Sequence, residues 1–255
     1  MSSMRVAVAG GTGLIGRHVV TLVEQAGHEP VVLARSRGVD ITTGSGLDAA
    51  IAGAHVVIDV SNVTTLSKKR AVRFFTAGTE QLIEAGGRAG VKHHLALSIV
   101  GIDRVGFGYY AGKLAQEDLV RRGGLPWTVL RATQFHEFAG QLLDRSPGPL
   151  AVAPGMRVQP VAAREVAQRL VELATGPAQG RAPEIAGPQA HALVDLVRQV
   201  ARARGRRRLV VPLPIPGGSA ARNGLLPTGE HTTGVQTFAE WLRSDGAHGG
   251  SSTGT

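Results

Sequence analysis

Tyr109 and Lys113 stand four residues apart, and on a helix that spacing puts both side chains on one face, within reach of a shared ligand. The chain has no cysteine, which removes thiolate nucleophiles, disulfides and cysteine zinc sites. Chemistry must therefore come from oxygen and nitrogen groups or from a bound cofactor. Tyr110 adjoins the pair, and a small change of register would turn it inward in place of Tyr109. Ser98 interrupts the apolar run Leu95 to Val100 near the end of a strand. Thr133, Gln134, Phe135 and His136 emerge from the end of another, Trp127 to Ala132, and are placed with the ligand-facing groups. A single His beside Phe135 and Phe138 reads more readily as a packing or surface residue than as a catalyst. No metal site is expected, because His93 and His94 are neighbours on a strand and point to opposite faces.

A second group is made for binding. Gly10, Gly13 and Gly16 recur at every third position between the apolar strand around Val6 and Val8 and an amphipathic helix, Leu14 to about Gln25. Such glycines let the chain turn sharply, let a pyrophosphate approach the backbone and let the helix lie close to the strand. The turn Gly10-Gly-Thr12-Gly13-Leu14-Ile15-Gly16 would then present unpaired N–H groups and the positive helix end to the phosphates. A second strand, Pro30 to Ala34, completes the unit and leads to Arg35, Ser36 and Arg37. A site for NAD usually has a carboxylate there for the ribose hydroxyls. Two guanidinium groups and a hydroxyl instead suit a 2′-phosphate, so NADP(H) is expected over NAD(H); the alternative is a solvated basic loop. Asp40 is placed beside the adenine. Ser61 and Asn62 follow the buried strand Val56 to Val60, where open parallel sheets hold their ligands.

The elements that must carry these groups alternate. Val39 to Ile41 reads as a very short third strand, Leu47 to Ala52 as a short helix and Lys68 to about Ala89 as a long one with Val72, Phe75, Leu82 and Ile83 inward. A helix from Tyr109 ends at Gly123-Gly124. The alternation then loosens, with helices at Ala163 to Ala174 and His191 to Ala203, strands at Glu184 to Ala186 and Leu209 to Leu213, and a last helical turn, Thr237 to Leu242, anchored by Trp241. The expected architecture is α/β, a Rossmann-type doubly wound parallel sheet with a small C-terminal substrate-side cap. It forms one domain over residues 1–243, with a nucleotide-binding core at about 4–145, a substrate-side portion at about 146–243 and a disordered tail at 244–255.

The 255 residues carry a formal charge of +9, from four lysines and 24 arginines. Most of the basic residues are dispersed on helices that also carry acids. The one dense run, Arg202 to Arg208, falls at a helix end with Gly205 as its cap, where cations are favoured. No specific nucleic-acid partner is expected. No apolar run reaches the ~18 residues of a membrane span, and no charged-then-apolar leader is visible, so a cytoplasmic protein without a membrane partner is expected.

Taken in order and spacing, Gly10-x-x-Gly13-x-x-Gly16, Ser98 and Tyr109-x-x-x-Lys113 resemble the short-chain dehydrogenase/reductase superfamily, and most closely its atypical or extended NmrA-like branch with quinone and azo reductases. The resemblance covers about residues 4–242. It implies an NADP(H)-dependent oxidoreductase acting on a small-molecule ketone, quinone or similar acceptor, with a homodimer as one assembly open to it. It further implies that Tyr109 gives a proton to a carbonyl oxygen and that Ser98 orients that oxygen. Lys113 would hold the nicotinamide ribose and lower the phenol pKa. Two positions depart from the family pattern: Ala132 replaces a proline, and helix 68–90 lacks an asparagine. A nonredox enzyme, such as a cyclase, epimerase or dehydratase, and a nucleotide-sensing regulator without turnover are the alternatives.

Overall fold

A computed structural model describes residues 3–146, 148–215 and 218–246. In chain order its elements are β1 (Arg5–Ala9), α1 (Leu14–Gln25), β2 (Glu29–Leu33), α2 (Leu47–Ile51), β3 (Val56–Asp59), α3 (Lys68–Ala89), β4 (His93–Ile99), α4 (Gly108–Arg122) and β5 (Trp127–Ala132). There follow α5 (Glu137–Arg145), β6 (Leu150–Pro154), β7 (Arg157–Val158), α6 (Ala163–Ala174), β8 (Gly180–Arg181), β9 (Glu184–Ala186), β10 (His191–Ala192), α7 (Leu193–Ala203), β11 (Leu209–Leu213), α8 (Gly218–Asn223), β12 (His231–Thr233) and α9 (Phe238–Trp241). Two compact units result, one from residues up to Ala132 with Ala163–Glu184, the other from Thr133–Ala162 with the residues from Ile185 onward.

The first unit is a parallel α/β sheet in the order β5-β4-β3-β1-β2, with β8 beside β5. Val6, Ala7, Val8 and Ala9 are all at most 1% exposed, as a strand covered on both faces requires. Helices α1 and α6 pack together, as do α3 and α4. The α3–α4 approach is close enough that a Cβ on Gly112 would lie 2.7 Å from the Ala71 backbone. Ser67 caps α3, its hydroxyl accepting from the Arg70 N–H, and Gly90 ends it at φ +72°. Helix α1 has no side-chain cap.

The expected strand at 39–41 does not form. Gly38 and Gly44 turn the chain on either side of it at φ +76° and +77°, and Asp40 makes only an isolated bridge to Ser45. Its carboxylate accepts from the Thr42 N–H and hydroxyl at 2.8 and 2.7 Å, a local turn that competes with sheet pairing.

In the second unit β6 pairs in parallel with β11, β7 pairs antiparallel with β10, and α5 packs on α7. Helix α5 was not foreseen: its nine residues fall where the sequence offers only a strand end and a proline-rich stretch. The start of the expected helix at His191 is a two-residue strand, and the helix proper begins at Leu193. Thr237 and Glu240 form a reciprocal cap on α9. Residues 242–246 continue as a π-helical turn, which corrects the expected tail at 244–246; the rest of the tail, 247–255, lies outside the described residues.

Candidate active site

Strand order reverses between β1 and β3, and the glycine turn and Ser61-Asn62 meet at that switch point. Gly10 stands at φ +79°, and a Cβ there would lie 2.8 Å from Cα of Ser61. A Cβ on Gly16 would fall 2.1 Å from the Gly10 carbonyl oxygen. The protein's own packing therefore explains both. Gly13 differs: it is exposed, its φ of −75° suits any residue, and a Cβ would meet only the Gly10 oxygen at 3.2 Å. An added side chain would project from the uncapped N-terminus of α1, so the free space is what a pyrophosphate needs. Thr12 is exposed on the turn, Leu14 is half-buried, and Ile15 is in the core. Arg35, Ser36 and Arg37 form one exposed 3₁₀ turn directly after β2. The residues present thus fit a dinucleotide: the turn and α1 for the pyrophosphate, Arg35 to Arg37 for the adenosine ribose. Asp40, placed beside the adenine by its position, has its Oδ1 held by the Thr42 turn, which keeps its pKa below the usual carboxylate value, with Arg35 adding to the effect.

Tyr109 opens α4. Its hydroxyl donates to Asn62 Oδ1 at 2.6 Å, and its ring meets Phe75 edge-on at 5.7 Å. Lys113, one turn along, is buried, with Nζ 4.5 Å from the Phe75 ring centre. It donates to Leu97 O and Gln116 Oε1, both at 2.8 Å, and Gln116 Nε2 donates to Asp59 Oδ2 at 2.7 Å. Asp59 Oδ1 accepts from the Ser61 N–H at 2.9 Å, so one buried chain runs from the lysine to the end of β3. Burial brings the Lys113 pKa down to about 8 against the opposing pull of Asp59 and Glu117. Burial, with Tyr110 adding to it, raises the Tyr109 phenol above its ordinary value, opposite to the lowering expected from Lys113, whose ammonium is turned to Leu97 and Gln116. Tyr110 packs edge-on against Phe107 and is pushed up to about 12.

The lysine's shift gives a pH dependence. If Lys113 serves bound nucleotide as a cation, affinity is expected to fall as pH rises through about 8, where an ordinary lysine would hold its charge to ~10.4. Titration of NADPH from about pH 7 to about pH 9 checks this, and Lys113→Met should bind more weakly with no such decline.

Ser98 is placed elsewhere than expected. Its hydroxyl, buried with the residue at 2% exposure, donates to Glu117 Oε1 at 2.5 Å. The same carboxylate receives a fork from Arg131 on β5, with Nε and Nη2 both at 2.8 Å, and Arg131 also reaches Asp103 at 3.1 Å. Ser98 thus belongs to a buried ionic cluster and leaves the catalytic set. The sequence signal for these partners was available: Asp59 and Arg131 are charged residues inside apolar strands, and Gln116 and Glu117 follow Lys113 at helical i+3 and i+4.

Two further corrections fall in the second unit. Thr133 is 2% exposed, with its hydroxyl on Gln159 O at 2.5 Å and its N–H on Ile185 O at 3.0 Å, so it has no donor left for a cofactor. His136 is fully buried among Phe238 and Trp241, with Nε2 3.2 Å from Gln236 O, and is a packing residue. Burial lowers its pKa to about 4. Phe135 is half-buried. Both amide atoms of Gln134 are buried with no hydrogen-bond partner among the described residues.

The profile of a family described as NAD(P)H-binding matches residues 10–177. The chain belongs to this NAD(P)H-binding family. This NAD(P)H-binding chain is 28% identical to a ceramide reductase of Caulobacter vibrioides over 83% of its own length and 74% of the relative's. It is 26% identical to an NAD(P)H azoreductase of Xenophilus azovorans, over 86% and 81%. Among solved structures, a short-chain dehydrogenase/reductase superfamily protein of Agrobacterium tumefaciens with bound NAD superimposes with a TM-score of 0.70 at 17% identity, covering 95% of this chain and 96% of that one. A UDP-glucose 4-epimerase of Thermus thermophilus in complex with NAD gives 0.65 at 21%, over 94% and 92%. These two share the fold. No helix among the described residues is long and apolar enough to cross a membrane.

Proposed function

We propose that the chain is an NADP(H)-dependent reductase of a small-molecule ketone, quinone or similar acceptor, with Tyr109 as its proton donor. The observation that carries this reading is the Tyr109 hydroxyl, held 2.6 Å from Asn62 at the end of β3, beside the glycine turn and on one helix face with Lys113. Bound NADPH would supply hydride. The phenol is protonated at neutral pH, as a proton donor must be, and a bound substrate and nucleotide would have to offset the burial that holds its pKa above the ordinary value. Asn62 Oδ1 accepts the Tyr109 proton in the free protein, and the hydroxyl would turn from it to a substrate oxygen. Lys113 supplies a buried positive charge whose place is set by Leu97 O and Gln116. The names of the two relatives, a ceramide reductase and an NAD(P)H azoreductase, support reduction.

The test is loss of the reduced-nicotinamide absorbance with panels of quinones, azo compounds and ketones. Nucleotide that binds yet is consumed with none of them would overturn the reading. Cofactor choice is tested separately by calorimetric titration. One charge-assisted hydrogen bond to a 2′-phosphate contributes ~1.5–3 kcal/mol, so NADPH is expected to bind roughly ten- to a hundredfold more tightly than NADH. Arg35→Asp should narrow or reverse that ratio. Equal affinities in the unmutated protein would remove the role given to Arg35 and Arg37.

A further inference from the structure

The pair β6–β11 has two unlike faces. Ala151, Ala153 and Val210 are buried on the side toward α7. On the other side Leu150, Val152, Leu209, Val211 and Leu213 are 49%, 45%, 67%, 38% and 54% exposed. Register groups them, Leu209 opposite Leu150 and Val211 opposite Val152. Contiguous exposed aliphatics on a sheet face mark a surface that meets something apolar.

The margin of this face is strongly basic. Arg202 and Arg206 to Arg208 line a concavity between the end of α7 and the start of β11 that includes Val210 and Leu209, so the arginines adjoin the apolar face at Leu209. Arg206 pairs with Asp144, and Arg208 donates to Leu143 O and Ser146 O, which ties the loop down. Arg202 and Arg207 are exposed and have no acidic partner among the described residues.

We propose that this face docks on the surface of an anionic lipid bilayer, with the arginines on the headgroups and the five aliphatic side chains at the headgroup–acyl boundary. Charge decides among the occupants. A second copy meeting the face symmetrically would set arginine run against arginine run. Nucleic acid would satisfy the arginines but leave five aliphatic side chains with no aromatic among them to stack on bases. An anionic bilayer complements both parts. The contact needs no spanning helix, and none occurs among the described residues; the proposal stands against the expectation of no membrane partner.

The experiment is co-sedimentation of the full chain with vesicles of phosphatidylcholine alone or mixed with phosphatidylglycerol. Binding is expected only to the anionic vesicles and should weaken at least about tenfold in high salt. Leu209→Ser/Val211→Ser keeps every charge and should lose about tenfold or more. Arg202→Glu/Arg207→Glu should do the same. Circular dichroism and NADPH titration should match the parent in both variants, since neither touches the proposed active site. Vesicle binding that Leu209→Ser/Val211→Ser leaves unchanged would reduce the effect to adsorption and overturn the proposal. So would absence of binding to anionic vesicles, tighter binding to a DNA duplex than to the vesicles, or self-association abolished by the same serine variant.

Discussion

Tyr109→Phe is expected to lower turnover by about 10² to 10⁴ while leaving NADPH affinity and the fold unchanged, the range for loss of a general acid. The substitution removes one hydroxyl. The ring keeps its edge contacts with Phe75 and Tyr110 at 5.7 and 5.9 Å, and Asn62 Oδ1 keeps the Val63 N–H at 2.8 Å. The buried chain Lys113–Gln116–Asp59 does not include the phenol, so the local charge is preserved. Lys113→Ala, by contrast, should reduce both turnover and nucleotide affinity, and Tyr110→Phe should do much less than either. Single-turnover kinetics beside a nucleotide titration separates the three. If Tyr109→Phe leaves the rate within about twofold, the assigned acid is wrong, and Tyr110 becomes the group to test.

Gly13→Val is expected to abolish measurable nucleotide binding, a loss of at least about a hundredfold, or ~2.7 kcal/mol, in a protein that still folds. Folding should survive because the backbone there is already in a region open to all residues and a Cβ meets only one atom, Gly10 O at 3.2 Å. Binding should not survive, because the valine branches would occupy the space in front of α1 that the pyrophosphate needs. Gly16→Ala is the control, since its Cβ would lie 2.1 Å from the same oxygen and should damage folding itself. Circular dichroism and calorimetry on the two variants distinguish the cases. Full NADPH affinity in Gly13→Val would mean that the phosphates lie elsewhere.

What was legible in the sequence followed from local rules. The glycine spacing, the apolar runs of β1, β3 and β5 and the Tyr109–Lys113 spacing each depend on neighbours within a turn or a strand, and the structure has them as read. What was missed depends on partners far along the chain. Ser98 could be seen at a strand end, but its fate was decided by Glu117 and Arg131, 19 and 33 positions on, and only the β4–β5 register puts Ser98 opposite Arg131. Thr133 was lost to Gln159 in the same way, and His136 to Gln236 across 100 residues. Asn62 and Tyr109 were both picked out, yet their hydrogen bond across 47 residues was not foreseeable from either. The short strand at 39–41 failed for a different reason, since the side chain of Asp40 outcompeted the sheet for the Thr42 backbone.

The Glu117–Arg131 fork constrains how the chain can diverge. Both groups are almost inaccessible, so changing one alone leaves the other a buried charge held only at its edge, Arg131 by Asp103 at 3.1 Å or Glu117 by Arg181 at 3.4 Å, a loss of up to roughly 3–5 kcal/mol from a fold whose total stability is ~5–15 kcal/mol. Replacing both with apolar residues of similar volume can be close to neutral. The route between the two states therefore passes through a barely viable intermediate, and the pair forms a heritable unit. Among diverging descendants of this chain, positions 117 and 131 should change together or stay as they are, and Ser98, freed of its acceptor in the apolar form, should drift with them.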